Sequence, residues 1–241
     1  MITAEAIHAN YLALRQRMDK AMRQAGRDPG DVRLLVVTKG HPVEALRGLL
    51  EAGVQAFGEN YVEEALEKEA VLGKPSGVQW HMIGHVQSRK AGQVVEHFEW
   101  LHALDSLKLG QRLSRTALEQ GRRLPVLLEC NVSGETSKFG FPAENEGSWP
   151  ALLPDAEEIL GLPGLNIRGL MCMAPWGDTP KEARPYFAKA RRLRDFLRER
   201  VGEIDWKHLS MGMSADFEAA ILEGATIVRI GSAILGPRPP R

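Results

Sequence analysis

The segment LLVVTKGHP (residues 34–42) places four aliphatic residues and a threonine directly before Lys39 and Gly40. A continuous apolar run of this kind, bounded by Gly and Pro, is typical of a strand that is covered on both faces. An ammonium group rarely stands at the end of such a strand without a partner. Lys39 therefore either reaches solvent on its four-carbon stem or is kept there for chemistry.

Similar apolar runs recur along the chain, with polar segments of helical period between them. The eight predicted strands are LLVVT (34–38), VQAFG (54–58), VQWHMIG (78–84), WLHAL (100–104), PVLLECNV (125–132), IRGLMCM (167–173), KHLSMG (207–212) and TIVRIG (226–231). Intervening segments such as PVEALRGLLEAG, YVEEALEKEAVLG and SLKLGQRLSRTALEQG are long enough for helices. Eight strand–helix repeats predict a parallel α/β fold, a (β/α)8 barrel of TIM type. An open doubly wound sheet is the alternative, but no GxGxxG motif follows the first strand.

An additional helix precedes the barrel. Apolar residues at helical spacing predict this leading helix within residues 1–26, where the pattern stops at Gly26. We expect one domain over residues 1–241, with the barrel at 34–236, a common size for such barrels. The segment FPAENEGSWPALLPDAEEIL (141–160) is rich in Pro, Gly and acidic residues, and predicts an elongated loop followed by part of a helix.

The composition argues against several classes of partner. Lys plus Arg and Asp plus Glu are balanced at 31 each, so no field favours nucleic acid or a membrane surface. No apolar stretch approaches the roughly 20 residues that span a bilayer. Cys130 and Cys172 both lie in apolar strand-like runs, and the N-terminus has no signal-type apolar core. These features predict a cytoplasmic protein whose partners are small molecules or uncharged surfaces.

The chemistry of a barrel lies at the carboxyl ends of its strands. After the last two strands, small residues and hydroxyls lead into helices and expose backbone N–H groups to an anion. Barrels frequently bind phosphate with these two loops, although glycine and serine also occur in structural turns. The residues concerned are Ser210, Met211, Gly212, Met213 and Ser214 after strand seven, and Gly231 and Ser232 after strand eight.

Arg229 lies in the last strand between two aliphatic residues, so strand alternation turns it to the opposite face. The alternative is an arginine paired with a barrel carboxylate. A phosphate site, an interior arginine and a strand-end lysine in one mouth predict a ligand that carries a phosphate, a ring and an aldehyde. That ligand is pyridoxal 5'-phosphate. Lys39 then forms the Schiff base, helped if partial burial lowers its pKa.

Other residues at the strand ends were weighed for different chemistry. Asn60 and His81 lie at the ends of strands two and three and belong to the same mouth. His81 and His85 are four apart, but a glycine intervenes and no HExxH motif is present, so no metal site is expected. Glu59 and Glu129 suggest a glycosidase pair, but such clefts are lined with aromatics and this chain is only 6% aromatic.

Seven segments then carry a family resemblance in chain order: VVTKGHP, FGENYVEEA, WHMIGHVQSRK, HALDS, NVSGETSKFGF, GLMCMAP and LSMGMSADFEAAILEGATIVRIGSAILGPR. Over nearly its whole length the chain resembles the YggS/PROSC group of pyridoxal-phosphate-binding homeostasis proteins. The resemblance implies the barrel of bacterial alanine racemase N-terminal domains, with Lys39 as the Schiff-base lysine. It also implies that Arg229 faces the pyridine nitrogen, that Asn60 lies near O3', and that residues 210–214 and Gly231-Ser232 hold the phosphate.

The chain departs from the resemblance at the rim. Gly84-His85-Val86-Gln87 stands where such proteins often have Pro and Leu after the glycine, and the loop from Glu144 to Pro154 looks longer than usual. The departures concern the rim and any partner surface there, and leave the predicted cofactor pocket intact.

The predicted function is the storage, buffering or delivery of pyridoxal 5'-phosphate, with apo-enzymes that use it as candidate recipients and a monomer as the expected state. An arginine keeps its proton, so a ring facing Arg229 is a poorer electron sink than one facing a carboxylate. The chain also ends at Pro237–Arg241 after strand eight, whereas related racemases continue into a domain with a second catalytic base. The alternatives are a racemase or lyase that uses the cofactor, and an interaction protein in which it is structural.

Overall fold

The computed structural model describes residues 2–73, 75–175, 177, 179–202 and 206–238; residues 239–241 of the predicted tail lie outside them. Within these residues the chain forms nine strands. They are β1 (Arg33–Val37), β2 (Ala56–Glu59), β3 (Gln79–Met82), β4 (Trp100–Leu104), β5 (Leu124–Asn131), β6 (Phe141–Pro142), β7 (Leu165–Met171), β8 (His208–Ser210) and β9 (Ile227–Ile230). Parallel pairing runs in the order β4-β3-β2-β1-β9-β8-β7-β5, and a β4–β5 pairing closes the ring. The predicted eight-stranded barrel is therefore confirmed.

Helices cover the outside of the barrel. In the described part of the chain they are α1 (Ala4–Gln24), α2 (Val43–Glu51), α3 (Val62–Leu72), α4 (Ala91–His97), α5 (Leu107–Glu119), α6 (Leu153–Leu160), α7 (Pro180–Arg200), α8 (Phe217–Leu222) and α9 (Ser232–Leu235). Short 3-10 turns lie at Ser88–Lys90 and Glu146–Leu152. No helix among the described residues combines the length and the apolar character needed to cross a membrane.

The leading helix is confirmed as α1. The Thr3 hydroxyl accepts a hydrogen bond from the Ala6 N–H and so caps its first turn. Ile7, Leu14 and Met18 form a buried stripe, and the helix packs against α2, α8 and α9. Because α8 and α9 follow the last strands in sequence, α1 joins the beginning of the barrel to its end.

Both faces of the strands are covered, which explains the continuous apolar runs in the sequence. Leu35 and Val36 are neighbours in β1 and point to opposite faces, yet each is fully buried. Leu35 is the register partner of Arg229 in β9, so the two side chains share the interior face. The outer face of β1 packs against helices, and its carboxyl end leads directly to Lys39.

The segment 141–160 contains more regular structure than the sequence predicts. The predicted helix is present as α6, but the expected loop begins with the two-residue strand β6, which pairs with the end of β5. Gly140 makes this pairing possible, because its φ is +108° and a Cβ there would lie 2.7 Å from the Glu129 carbonyl oxygen. The sequence around Gly140 is polar and contains no apolar run, so the two-residue strand β6 could not be predicted from it.

Candidate functional site

Lys39 lies in a tight turn at the mouth of the barrel, two residues beyond the end of β1. The His41 N–H donates to the Thr38 carbonyl at 3.1 Å, and Gly40 adopts a φ of +72° that a residue with a side chain rarely adopts. The Lys39 side chain is half-buried. Within the described residues, its ammonium group has no hydrogen-bond or ion-pair partner, so it does not serve to hold the fold together.

The surroundings of Lys39 favour its neutral form. Burial lowers the pKa of Lys39 from its usual value, and the nearby cations Arg238 and Arg229 lower it further. Glu59 and Glu64 act in the opposite direction but do not reverse the shift. A lysine with a lowered pKa has more free amine at neutral pH, and free amine is the nucleophile that attacks a carbonyl carbon.

Arg229 crosses the barrel interior and is almost completely buried. Its Nη1 donates to the Ser210 carbonyl oxygen at 2.6 Å and to Ser210 Oγ at 2.8 Å, and its Nη2 donates to the Cys172 carbonyl oxygen at 2.9 Å. All three acceptors are neutral, and among the described residues no carboxylate forms an ion pair with it. A guanidinium has five N–H donors, so donors remain for a ligand.

Ser210 and His81 lie beneath Arg229, inside the barrel. Ser210 Oγ is 2.9 Å from His102 Nδ1, and His102 Nε2 is 3.0 Å from His81 Nδ1. Arg229 can only donate, so Ser210 Oγ accepts from it, and the directions of the two bonds at His102 depend on the tautomers of the rings. Burial lowers the pKa of His81 to about 3 and that of His102 well below its usual value, so both rings are neutral.

This interior chain gives Ser210 and His81 a structural position that the sequence did not indicate. Both were predicted at the cofactor site; in the structure the Ser210 hydroxyl accepts from Arg229, and His81 is joined to Ser210 through His102. His102 was not predicted at all, although it alternates with apolar residues in WLHAL and therefore points inward. His81 Nε2 is buried and has no hydrogen-bond partner within the described residues.

The two predicted phosphate loops meet at the mouth. Ser214 Oγ accepts a hydrogen bond from the Ala233 N–H at 3.2 Å, which links the residues after β8 to those after β9. A Cβ on Gly231 would lie 2.9 Å from the Val37 carbonyl oxygen, so the β9 loop also lies against the end of β1. Gly212 has a φ of +92°, and a Cβ there would lie 2.6 Å from that of Ala220.

The remaining members of the two loops differ in exposure. Met211 is fully buried and packs in the core, Met213 is half-buried and Ser232 is exposed at the start of α9. Only some of the predicted set is therefore accessible to a ligand. The backbone of both loops nevertheless leads into helices, whose first N–H groups lack partners inside the helix and favour an anion.

Asn60 and the rim residues complete the mouth. Asn60 is half-buried after β2, and the loop after β3 approaches it so closely that a Cβ on Gly84 would lie 2.5 Å from its carbonyl oxygen. His85 points to the rim, where its Nδ1 lies 2.6 Å from Asp105 Oδ2 and its ring stacks on Phe139. His81 and His85 therefore do not converge, and the described residues contain no cluster suited to a metal ion.

Two charged residues near the mouth were not assigned to it from the sequence. Arg238 lies beside Gly40, since a Cβ on that glycine would lie 3.0 Å from Arg238 Cδ. Glu129 is buried at the end of β5, and burial together with the Asp105 charge raises its pKa to about 7, with Arg229 opposing the shift. Glu59 faces away from Glu129, toward α3, so the glycosidase arrangement is absent from these two residues.

These residues fit a ligand with a phosphate, an aromatic ring and an aldehyde. The unpartnered amine of Lys39 suits the aldehyde, and the linked loops at Ser214 and Gly231 suit the phosphate. Arg229 is a buried cation that has unused donors for a ligand. Three binding features are thus brought together by strands β1, β8 and β9, which are neighbours in the sheet.

Comparisons with known proteins find similar chains over nearly the whole length. The alanine racemase N-terminal domain family matches residues 2–239. A protein of Pseudomonas aeruginosa named pyridoxal phosphate homeostasis protein is 45% identical over 232 residues, which are 96% of each chain. The structure of PipY from Synechococcus elongatus with PLP bound is 36% identical, has a TM-score of 0.81 and covers 95% of this chain and 100% of that chain. An alanine racemase from Bartonella henselae, 17% identical with a TM-score of 0.71 over 99% of this chain and 60% of its own, shares the fold.

Proposed function

Because this chain belongs to the alanine racemase N-terminal domain family, among the pyridoxal phosphate homeostasis proteins, we propose that it binds pyridoxal 5'-phosphate through a Schiff base on Lys39. Its role is to store, buffer or deliver the cofactor inside the cell. The observation that carries the proposal is the Lys39 ammonium, which is half-buried, has a lowered pKa and has no partner within the described residues. The cofactor would supply an aldehyde to this amine.

Arg229 supports a carrier rather than an enzyme. Its guanidinium is fixed by the Ser210 and Cys172 carbonyl oxygens and stays charged, although burial lowers its pKa. A cation facing the pyridine nitrogen disfavours protonation of that nitrogen, and an unprotonated ring withdraws electrons weakly. The residues of this mouth therefore suit retention of the cofactor better than activation of an amino acid.

The proposal is tested by locating the covalent bond. Purified protein is loaded with pyridoxal 5'-phosphate, reduced with borohydride and digested, and the peptides are mapped by mass spectrometry. The pyridoxyl group is expected on the peptide that contains Thr38-Lys39-Gly40, and the Lys39→Ala variant should lose it. A modification found only on other lysines would overturn the proposal.

Glu129 is the observation that favours a second candidate, a racemase or lyase. Its buried carboxyl group has a pKa of about 7, which suits a group that accepts and returns a proton at neutral pH. Incubation of the loaded protein with amino acids in deuterium oxide separates the two functions, because exchange of the α-proton needs a base and storage does not. Exchange in the wild type that is lost in Glu129→Gln would establish the enzyme.

Delivery to apo-enzymes and a cytoplasmic location belong to the same proposal. Cys130 and Cys172 are both free and buried, and burial raises the pKa of both thiols, so neither is reactive.

Mixing the loaded protein with an apo-enzyme and following recovery of that enzyme's activity tests delivery. Recovery faster than the release of free cofactor would indicate direct transfer.

A further inference from the structure

The residues on either side of Lys39 are held by side chains from β2 and α3. The Thr38 hydroxyl donates to Glu59 Oε1 at 2.6 Å, and Lys68 Nζ donates to the Thr38 carbonyl oxygen at 2.7 Å. On the other side of Lys39, the Gly40 N–H donates to Glu64 Oε1. Lys39 is therefore flanked by anchored backbone while its own amine is unpartnered within the described residues.

The same four side chains are joined to one another. Lys68 Nζ donates to Glu59 Oε1 at 2.6 Å and to Glu64 Oε1 at 2.7 Å, so one ammonium connects the anchors before and after Lys39. Glu64 and Lys68 are one turn apart on α3, and Glu59 ends β2. We call Thr38, Glu59, Glu64 and Lys68 the lysine clamp.

The lysine clamp is built from charges that water scarcely reaches. The Glu59 side chain is fully buried and that of Lys68 is 7% exposed. Charges are costly to remove from water, and well-packed apolar residues often stabilise a fold as much as a buried ion pair does. Stability alone therefore does not explain this ion pair. Its hydrogen bonds to Thr38, next to Lys39, offer a more specific explanation.

Thr38 and Lys39 are directed to different surroundings. The Thr38 hydroxyl points to Glu59, whereas the Lys39 ammonium lies within electrostatic reach of Arg229 and Arg238. If the bond from Thr38 to Glu59 were lost, the turn could rotate and carry the Lys39 amine out of the mouth. Gly40 is at a φ of +72°, so the turn has no side chain of its own at that position to restrain it.

We propose that the lysine clamp positions Lys39 for covalent capture of the cofactor, and that it acts on capture rather than on binding of the ring and phosphate. The inference rests on the proposed function. In capture, the neutral Lys39 amine attacks the aldehyde carbon, a carbon–nitrogen double bond forms, and both amine protons leave with the aldehyde oxygen as water. None of the clamp residues touches the reacting atoms, so they are positioning residues.

The test separates capture from binding with two ligands. Pyridoxal 5'-phosphate can form the Schiff base, whereas pyridoxamine 5'-phosphate has the same ring and phosphate but no aldehyde. The variants are Lys68→Met, Glu64→Met and Thr38→Val, which remove three, two and one of the clamp bonds, respectively. The rate of capture is followed by absorbance and by borohydride trapping, and pyridoxamine 5'-phosphate affinity by calorimetry.

We expect Lys68→Met to slow capture by ~10-fold or more, because a small displacement of a reacting group has a large effect on rate. Its affinity for pyridoxamine 5'-phosphate should stay within about 2-fold, since the phosphate loops belong to other strands. Thr38→Ser keeps the hydroxyl and should capture at the wild-type rate. Capture and pyridoxamine 5'-phosphate affinity that fall together, or capture that is unchanged, would overturn the inference.

The chain offers a matched control on the same helix. Glu63 is next to Glu64 but pairs with Lys90 on the surface, so Glu63→Gln removes an equal charge without touching the clamp. It should behave as the wild type. If Lys68→Met does not fold, Thr38→Val decides the question, because it changes one hydroxyl. A wild type with no adduct on Lys39 defeats the proposed function itself, whereas an adduct formed equally fast in all clamp variants defeats only the inference.

Discussion

The two cations at the mouth of this barrel are held in opposite ways. The guanidinium of Arg229 is fixed by three hydrogen bonds to Ser210 and Cys172. The ammonium of Lys39 has none within the described residues, and it is the backbone around it that is fixed. One residue is anchored at the tip of its side chain and the other at its base.

This difference is consistent with the roles proposed for the two groups. A group that orients a ring must present the same face every time, so its charged end is locked. A group that forms and releases a covalent bond needs a free end and a defined origin, which anchoring of the backbone provides. The locked arginine also keeps its proton, while the unpartnered lysine loses its proton more readily because burial lowers its pKa.

The largest expected effect is on stability, and it separates the two cations directly. Arg229→Met removes three hydrogen bonds from buried oxygens of Ser210 and Cys172, which should lower the free energy of unfolding by about 2–4 kcal/mol. Lys39→Met removes no hydrogen bond and should change that free energy by less than ~0.5 kcal/mol. Urea unfolding of both apo variants measures the difference. Equal losses would show that the Lys39 ammonium is held after all.

A second prediction tests whether Glu129 is the hidden partner of Arg229. An ionised partner would have a lowered pKa, but the pKa of Glu129 is raised from 4.5 to about 7 by burial and by Asp105. The folded state therefore binds this proton more tightly than the unfolded state, and stability falls as pH rises from 4.5 to about 7. At neutral pH, Glu129 therefore lowers the free energy of unfolding by on the order of 2–3 kcal/mol relative to its value at low pH.

The measurement compares wild type with Glu129→Gln by urea unfolding at several pH values. The variant lacks the titrating group, so its advantage over the wild type should grow between pH 4.5 and 7 and then stay constant. Other carboxyl groups are common to both proteins and cancel in the difference. An advantage that instead shrinks as pH rises would mean that Glu129 is a charged partner in the folded state.

The sequence predicted those parts of the site that depend on local pattern. Eight apolar runs predicted the strands, and the position of Lys39 at the end of one of them predicted its place at the mouth. Arg229 was predicted to point inward because its neighbours in β9 are aliphatic. Strand alternation and the position of strand ends are properties of short segments, so they are readable without knowing what lies opposite.

Contacts between distant segments could not be predicted in the same way. Ser210 and His102 are 108 residues apart, and the hydrogen bond between them depends on the closure of the whole ring. Lys68 looked like one more charge on the polar face of a helix, yet it is buried where α3 meets β2 and the Thr38 carbonyl oxygen. The pKa of Glu129 also depends on burial, which no motif records.

The third prediction concerns Gly231, in the loop after β9, where the strand of Arg229 meets the strand that leads to Lys39. Gly231→Ala would push its Cβ against the Val37 carbonyl oxygen at the end of β1. We expect about 10-fold weaker binding of pyridoxal 5'-phosphate, or ~1.4 kcal/mol, and a smaller loss for pyridoxal, which has no phosphate to hold. Calorimetry with both ligands measures it. Gly92→Ala is the control, because a Cβ there meets nothing within 4 Å, and equal losses for both ligands would contradict a phosphate site.

The smallest effect is expected at the rim, around His85. The Phe139 ring stacks on His85 with centroids 3.9 Å apart and planes 11° apart, but 54% of Phe139 is exposed. Phe139→Ala should therefore lower the free energy of unfolding by less than ~1 kcal/mol. Neither cation of the mouth contacts this pair, so affinity for pyridoxal 5'-phosphate should stay within about 2-fold of the wild type.

Phe139→Tyr keeps the stacking and controls for loss of the ring. Affinity that falls severalfold in Phe139→Ala, but not in Phe139→Tyr, would extend the site from the two cations to the rim and give His85 a part in retaining the cofactor.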